Sequence, residues 1–97
     1  MDPSTPNTAA LDARRRRILF RATHRGTYEN DLLVGGFVRA RIVAFTDAEL
    51  DQVEALMEHP DADLADWLTG RQPTPDAVDT PMMRAVREAA PRHGLGE

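Results

Sequence analysis

Arg25, Gly26 and Glu29 stand together in the run Arg25-Gly26-Thr27-Tyr28-Glu29. Arginine offers a planar fork of N–H donors, glutamate accepts, and glycine between them lets another backbone approach closely. Such a set can grip a surface, but it holds no nucleophile and no proton relay. The same residues also read as a plain corner between two helices. Arg25 then complements the C-terminal dipole of one helix and Glu29 the N-terminal dipole of the next. Spacing alone favours the plain corner, because turns of this composition are common.

Other chemistry-bearing residues are sparse. Cysteine is absent, which excludes disulfides, thiolate nucleophiles and cysteine-ligated metal centres. It also points to an intracellular setting, since small secreted domains usually need such staples. All 12 basic residues are arginine, so Schiff-base lysines and a phosphate-loop lysine are excluded. The only serine is Ser4. His24, His59 and His93 are far apart, and no two have the spacing that sets two ligands on one helix face. Asp61, Asp63 and Asp66 resemble the start of a calcium loop. The sixth position holds no glycine, however, and the twelfth is Gln72, so helix capping is the better reading. An enzyme is therefore the weakest class, and no metal site is expected.

Arg14 to Arg17 point in every direction around one helical turn. They could hold phosphates or an acidic partner, or lie on a solvated face. The net charge is −4, split as +4 over residues 1–45 and −8 over residues 46–97. That dipolar balance suits a protein partner better than a nucleic acid.

These residues need elements to position them. The first helix is expected from Leu11 to about His24, with Ile18, Leu19 and Ala22 on one face and Gly26 just past its end. Tyr28 to Phe45 is ambiguous. Thr27 can cap a helix carrying Glu29 and Asp31 in its first turn, with Leu33, Val34, Phe37, Val38, Arg41 and Phe45 along one stripe. Gly35-Gly36 also spells a two-residue hairpin turn between apolar runs. Two glycines inside a helix cost roughly 1 kcal/mol each relative to alanine, so a helix here needs close packing to offset them.

The later elements are plainer. Thr46 and Glu49 form a capping box ahead of Leu50, Val53, Leu56 and Met57. His59-Pro60 ends that helix. Asp61 or Asp63 is expected to cap a short helix bearing Leu64, Trp67 and Leu68, closed by Gly70. A proline-rich loop spans Gln72 to Asp79. Thr80-Pro81 opens a last helix with Met82, Met83, Val86 and Ala89 on its apolar face. The core is expected around Phe37, Leu50, Trp67 and Val86, with Trp67 a core residue and not a binding platform. Residues 11–90 make a single helical domain. Residues 1–10 read as a disordered tail with no signal or transit pattern, and residues 91–97 as a loose C-terminal end.

One further pattern is more specific. RGTYEND, preceded by RRILF, resembles the RGxxE signature of the succinate dehydrogenase FAD-assembly factors. This is the SdhE family, with mitochondrial relatives called succinate dehydrogenase assembly factor 2. The likeness continues through DLLVGGFV, FTDAELDQVEALME, DADLADWLTG and TPMMRAVRE, over roughly residues 14–90.

The resemblance implies an all-α fold, a compact five-helix bundle, and so a helix over Tyr28 to Phe45. It implies a non-enzymatic chaperone. Such a protein binds the flavoprotein subunit of succinate dehydrogenase, or of fumarate reductase, and promotes covalent attachment of FAD to a client histidine. The family motif maps onto Arg25, Gly26, Glu29 and Asp31, with Tyr28 at a variable position. Arg17, within the tract, is expected to add steering, so the partner-binding set is these six residues. No catalytic or metal residue is implied. FAD belongs to the client, and without a glycine-rich phosphate loop this chain is not expected to hold it tightly. A cytoplasmic monomer that enters no membrane and binds no nucleic acid is expected. The rival readings are an antitoxin-like or regulatory protein binder and, less strongly, an arginine-tract nucleic-acid binder.

Overall fold

The computed structural model describes residues 11–90, and the two expected tails lie outside the described residues. Five α-helices follow one another: α1 (Ala13–Thr23), α2 (Tyr28–Arg41), α3 (Asp47–Met57), α4 (Asp61–Thr69) and α5 (Pro81–Ala89). A single 3-10 turn, Asp76–Val78, interrupts the proline-rich loop. The five-helix bundle implied by the resemblance is the observed fold. No helix among the described residues is long and apolar enough to cross a membrane.

Local signals set most of the boundaries. The Asp12 carboxylate accepts from the Arg15 backbone N–H at 2.8 Å, so α1 starts at Ala13, two residues later than its apolar pattern allows. Leu11 stays outside the helix yet is buried against the core. Thr46 and Glu49 close the expected capping box on α3. Thr80 caps α5 by accepting from the Met83 N–H at 3.1 Å. Gly70 ends α4 in the left-handed conformation, with φ of +82°.

The cap expected for α4 is different. Pro60 is its N-cap and supplies no side-chain bond. Asp61 is the first helical residue instead, and its carboxylate accepts from Arg25 and Asn30 rather than from its own backbone. A helix start without a side-chain cap still favours the negative charge of Asp61 and Asp63.

The ambiguous segment is a helix that runs unbroken through Gly35-Gly36 and stops at Arg41. The two glycines differ in purpose. A Cβ at Gly35 would lie 2.9 Å from the Ala22 carbonyl oxygen and 3.1 Å from Thr23 Cα, so α1 and α2 meet where only glycine fits. A Cβ at Gly36 would meet nothing within 4 Å. Phe45 lies beyond the helix but is still buried, tilted against Phe37. Arg41 is exposed, and its guanidinium stacks over the Phe37 ring 4.7 Å from the centroid.

Helix α2 packs against α1, α4 and α5, while α3 packs against α1 and α5. Phe37, Leu50 and Val86 are buried as expected. Trp67 is only half-buried at the rim of the core, with the His59 ring meeting it edge-on. This arrangement leaves the α1–α2 corner beside the α3–α4 turn.

Candidate functional site

The corner is built by three residues in succession. The His24 N–H donates to the Arg21 carbonyl as α1 ends. Gly26 takes φ of +102°, a conformation that strains any other residue, and reverses the chain. Thr27 then caps α2, its hydroxyl oxygen accepting from the Asn30 N–H.

Arg25 lies inside this corner. Its side chain is only 10% exposed. Nε donates to Asp61 Oδ1 at 2.6 Å, Nη1 to the Met57 carbonyl at 2.9 Å and Nη2 to the His59 carbonyl at 2.8 Å. The guanidinium thus sits at the C-terminal end of α3 and on the first residue of α4, where helix dipoles favour a cation and an anion respectively. Its backbone N–H donates to Asp31 Oδ1 at 2.7 Å. Asn30, fully buried, donates through Nδ2 to the Asp61 carbonyl and carboxylate, at 2.8 and 3.1 Å.

The fork expected to face a partner is therefore turned inward. It ties the corner to the α3–α4 turn across a sequence distance that no local pattern reveals. Asp31 supports the same knot. Burial raises the Asp61 carboxyl, but the hydrogen bonds from Arg25 and Asn30 outweigh it and hold the group below its ordinary value of 3.8.

That shift has a testable sign. A carboxyl depressed on folding stabilises the fold above its unfolded value and loses that contribution as pH falls through the folded one. Urea midpoints of this protein should therefore fall as pH drops below about 4. The Asp61→Asn variant should be less stable at neutral pH and show a shallower acid loss. An equally steep loss in that variant would assign the acid sensitivity elsewhere.

Tyr28 and Glu29 face outward. Tyr28 is 80% exposed, and Leu32, one turn further along α2, is also exposed. Gly26 between Arg25 and Tyr28 is open to approach, with nothing within 4 Å of a Cβ position. Glu29 Oε1 accepts from Arg71 Nη2 at 3.3 Å. Of the six expected partner-binding residues, five thus gather at one corner, with Arg25 and Asp31 beneath it and Gly26, Tyr28 and Glu29 on top. Arg17 is exposed on α1, and its side chain makes no hydrogen bond or ion pair among the described residues.

The arginine tract is largely committed within the fold. Arg14 pairs with Asp51 and Glu54 of α3. Arg15 pairs with Asp12 and donates to the carbonyls of Ile42 and Phe45. Arg16 donates to the Leu11 carbonyl. An arginine so engaged is poorly placed to hold a phosphate backbone, which weakens the nucleic-acid reading.

Sequence reasoning missed Asn30 and Arg71, and it assigned Asp61 to the cap of its own helix. Asn30 carried a usable signal: it falls on the same helical stripe as Val34, Phe37 and Val38, where a polar residue needs buried partners. Nothing local joined Asp61 or Arg71 to the corner.

The family model described as flavinator of succinate dehydrogenase matches residues 16–90. The chain belongs to this flavinator family. The match takes in the corner and all of α2 to α5, so the likeness read from RGTYEND and the stretches after it holds across the domain. An FAD assembly factor SdhE from Acetobacter pasteurianus is 48% identical over 92 residues, covering 89% of this chain and 84% of the relative. The mitochondrial succinate dehydrogenase assembly factor 2 of Dictyostelium discoideum is 28% identical. The corresponding 2-A protein of Drosophila ananassae is 36% identical. The chain spans 61% and 56% of the length of these two mitochondrial relatives. No solved structure matches it.

Proposed function

We propose that this chain is an assembly chaperone that binds the flavoprotein subunit of succinate dehydrogenase and promotes covalent attachment of FAD to it. Membership of the flavinator family across nearly the whole helical domain carries this reading. The outward set of Gly26, Tyr28 and Glu29, extended by Leu32, supports the corner as the face the client meets. Arg25 and Asp31 hold that face in shape from beneath.

The chain itself performs no covalent step. Among the described residues the glycines serve the fold: Gly26 and Gly70 each end a helix, Gly35 is buried against α1 and Gly36 lies mid-helix. In this reading FAD is the cofactor of the client, which membership of the flavinator family supports. The contribution of this protein is to hold an immature client in the geometry where its histidine and flavin meet. Orientation of that kind can supply on the order of 7–11 kcal/mol of a barrier without any reacting group from the holder.

The test is covalent flavin on the client. A succinate dehydrogenase flavoprotein subunit is expressed with and without this chain, denatured, and read for flavin fluorescence in a gel. Fluorescence should rise with the wild type and fall back with Glu29→Ala, a surface change that leaves the bundle folded. Equal flavinylation without this chain, under limiting FAD as well, would remove the proposal.

A further inference from the structure

Both ends of α4 reach the α1–α2 corner. The first residue, Asp61, does so through Arg25 and Asn30. Beyond the last, Arg71 does so through Glu29. The backbone that carries Arg71 is fixed on both sides. Gly70 is left-handed, and the Gln72 N–H donates back to the Asp66 carbonyl at 3.2 Å. The Arg71 side chain is then held by Asp66, Nε to Oδ1 at 3.1 Å, which aims Nη2 at Glu29 Oε1.

We propose that Arg71, held by Asp66, is a positioning residue that sets the Glu29 carboxylate in one orientation before the client arrives. The inference rests on Glu29 being a client-facing residue. Glu29 makes no other side-chain hydrogen bond among the described residues, so without Arg71 its side chain samples several rotamers. Arg71 occupies Oε1 and leaves Oε2 for a hydrogen-bond donor on the client. The guanidinium is suited to this, because its planar fork bridges two carboxylates at once. Donation to the Asp66 carboxylate first, then to that of Glu29, raises the Arg71 pKa further, so the bridge stays charged.

An exposed bridge of this kind adds little to folding stability. Its effect appears when an otherwise mobile side chain must be ordered on binding, which is worth roughly two- to tenfold in affinity.

The experiment titrates the purified chain against a succinate dehydrogenase flavoprotein subunit with FAD present and follows covalent flavin. Arg71→Ala should raise the half-saturating concentration of the chain roughly two- to tenfold, with the maximal rate and the urea midpoint unchanged. Asp66→Ala should act in the same direction. In the Glu29→Ala background, Arg71→Ala should add nothing. A neutral Arg71→Ala beside a damaging Glu29→Ala overturns the inference and leaves the corner reading intact. Tighter binding by Arg71→Ala overturns it too, since Arg71 would then shield Glu29. Additive losses in the double variant overturn it by showing that Arg71 meets the client itself. A neutral Glu29→Ala removes the corner reading and this inference together.

Discussion

Arg25→Ala is expected to lower the stability of the fold by about 2–4 kcal/mol. Three donors of a nearly buried guanidinium are lost together. The Met57 and His59 carbonyls and the Asp61 carboxylate would be left without them, in a setting where water reaches them only in part. Removing one partner of such a group costs more than the pair contributes net, because the remaining charge is stranded. A fold of this size has a total stability of only about 5–15 kcal/mol. Urea denaturation followed by circular dichroism should show a lower midpoint with an unchanged slope. Arg25→Lys should recover only part of the loss, because an ammonium is a compact charge that cannot span three acceptors in one plane. An Arg25→Ala midpoint equal to that of the wild type would mean that the inward knot carries no stability. Loss of flavinylation in Arg25→Ala therefore cannot by itself assign Arg25 to the client interface, and Glu29→Ala is the cleaner functional probe.

The second large effect is a difference of sign between neighbours. Gly35→Ala should destabilise by about 1–3 kcal/mol, since its Cβ would press on the α1 backbone at Ala22 and Thr23. Those atoms are not the free end of a flexible side chain, so helix α1 itself must move. Gly36→Ala should stabilise by about 0.5–1 kcal/mol, because the position is helical and its Cβ meets nothing. Thermal melts of the two variants should therefore shift in opposite directions. Equal shifts would contradict the close approach of α1 and α2 at Gly35.

The same pair shows where the sequence was legible. The starts of α3 and α5 were readable because Thr46 with Glu49, and Thr80 with Pro81, act on residues within one turn of themselves. The corner was readable for the same reason, through Gly26 and Thr27. Gly35-Gly36 was not, because what distinguishes a hairpin turn from a helix contact there is α1, which lies elsewhere in the chain. Family resemblance, and not periodicity, decided it. Arg25 shows a subtler limit. Its type and place announced a donor fork, but nothing local stated whether that fork faces a partner or the α3–α4 turn. Asp61 was assigned to its own helix for the same reason, and Arg71 lies too far from Glu29 for spacing to join them.

The inward set of Arg25 has a consequence for motion. The α1–α2 corner and the start of α4 share one knot of hydrogen bonds, joining residues more than thirty positions apart. A fluctuation that frees either side must break the bonds of the other. Amide protons near Thr27 to Asp31 and near Asp61 to Leu64 should therefore exchange with solvent through one common opening, as a single cooperative unit. The face that Tyr28 and Glu29 present at the start of α2 should in this sense be as rigid as the rest of that helix, although it adjoins a turn.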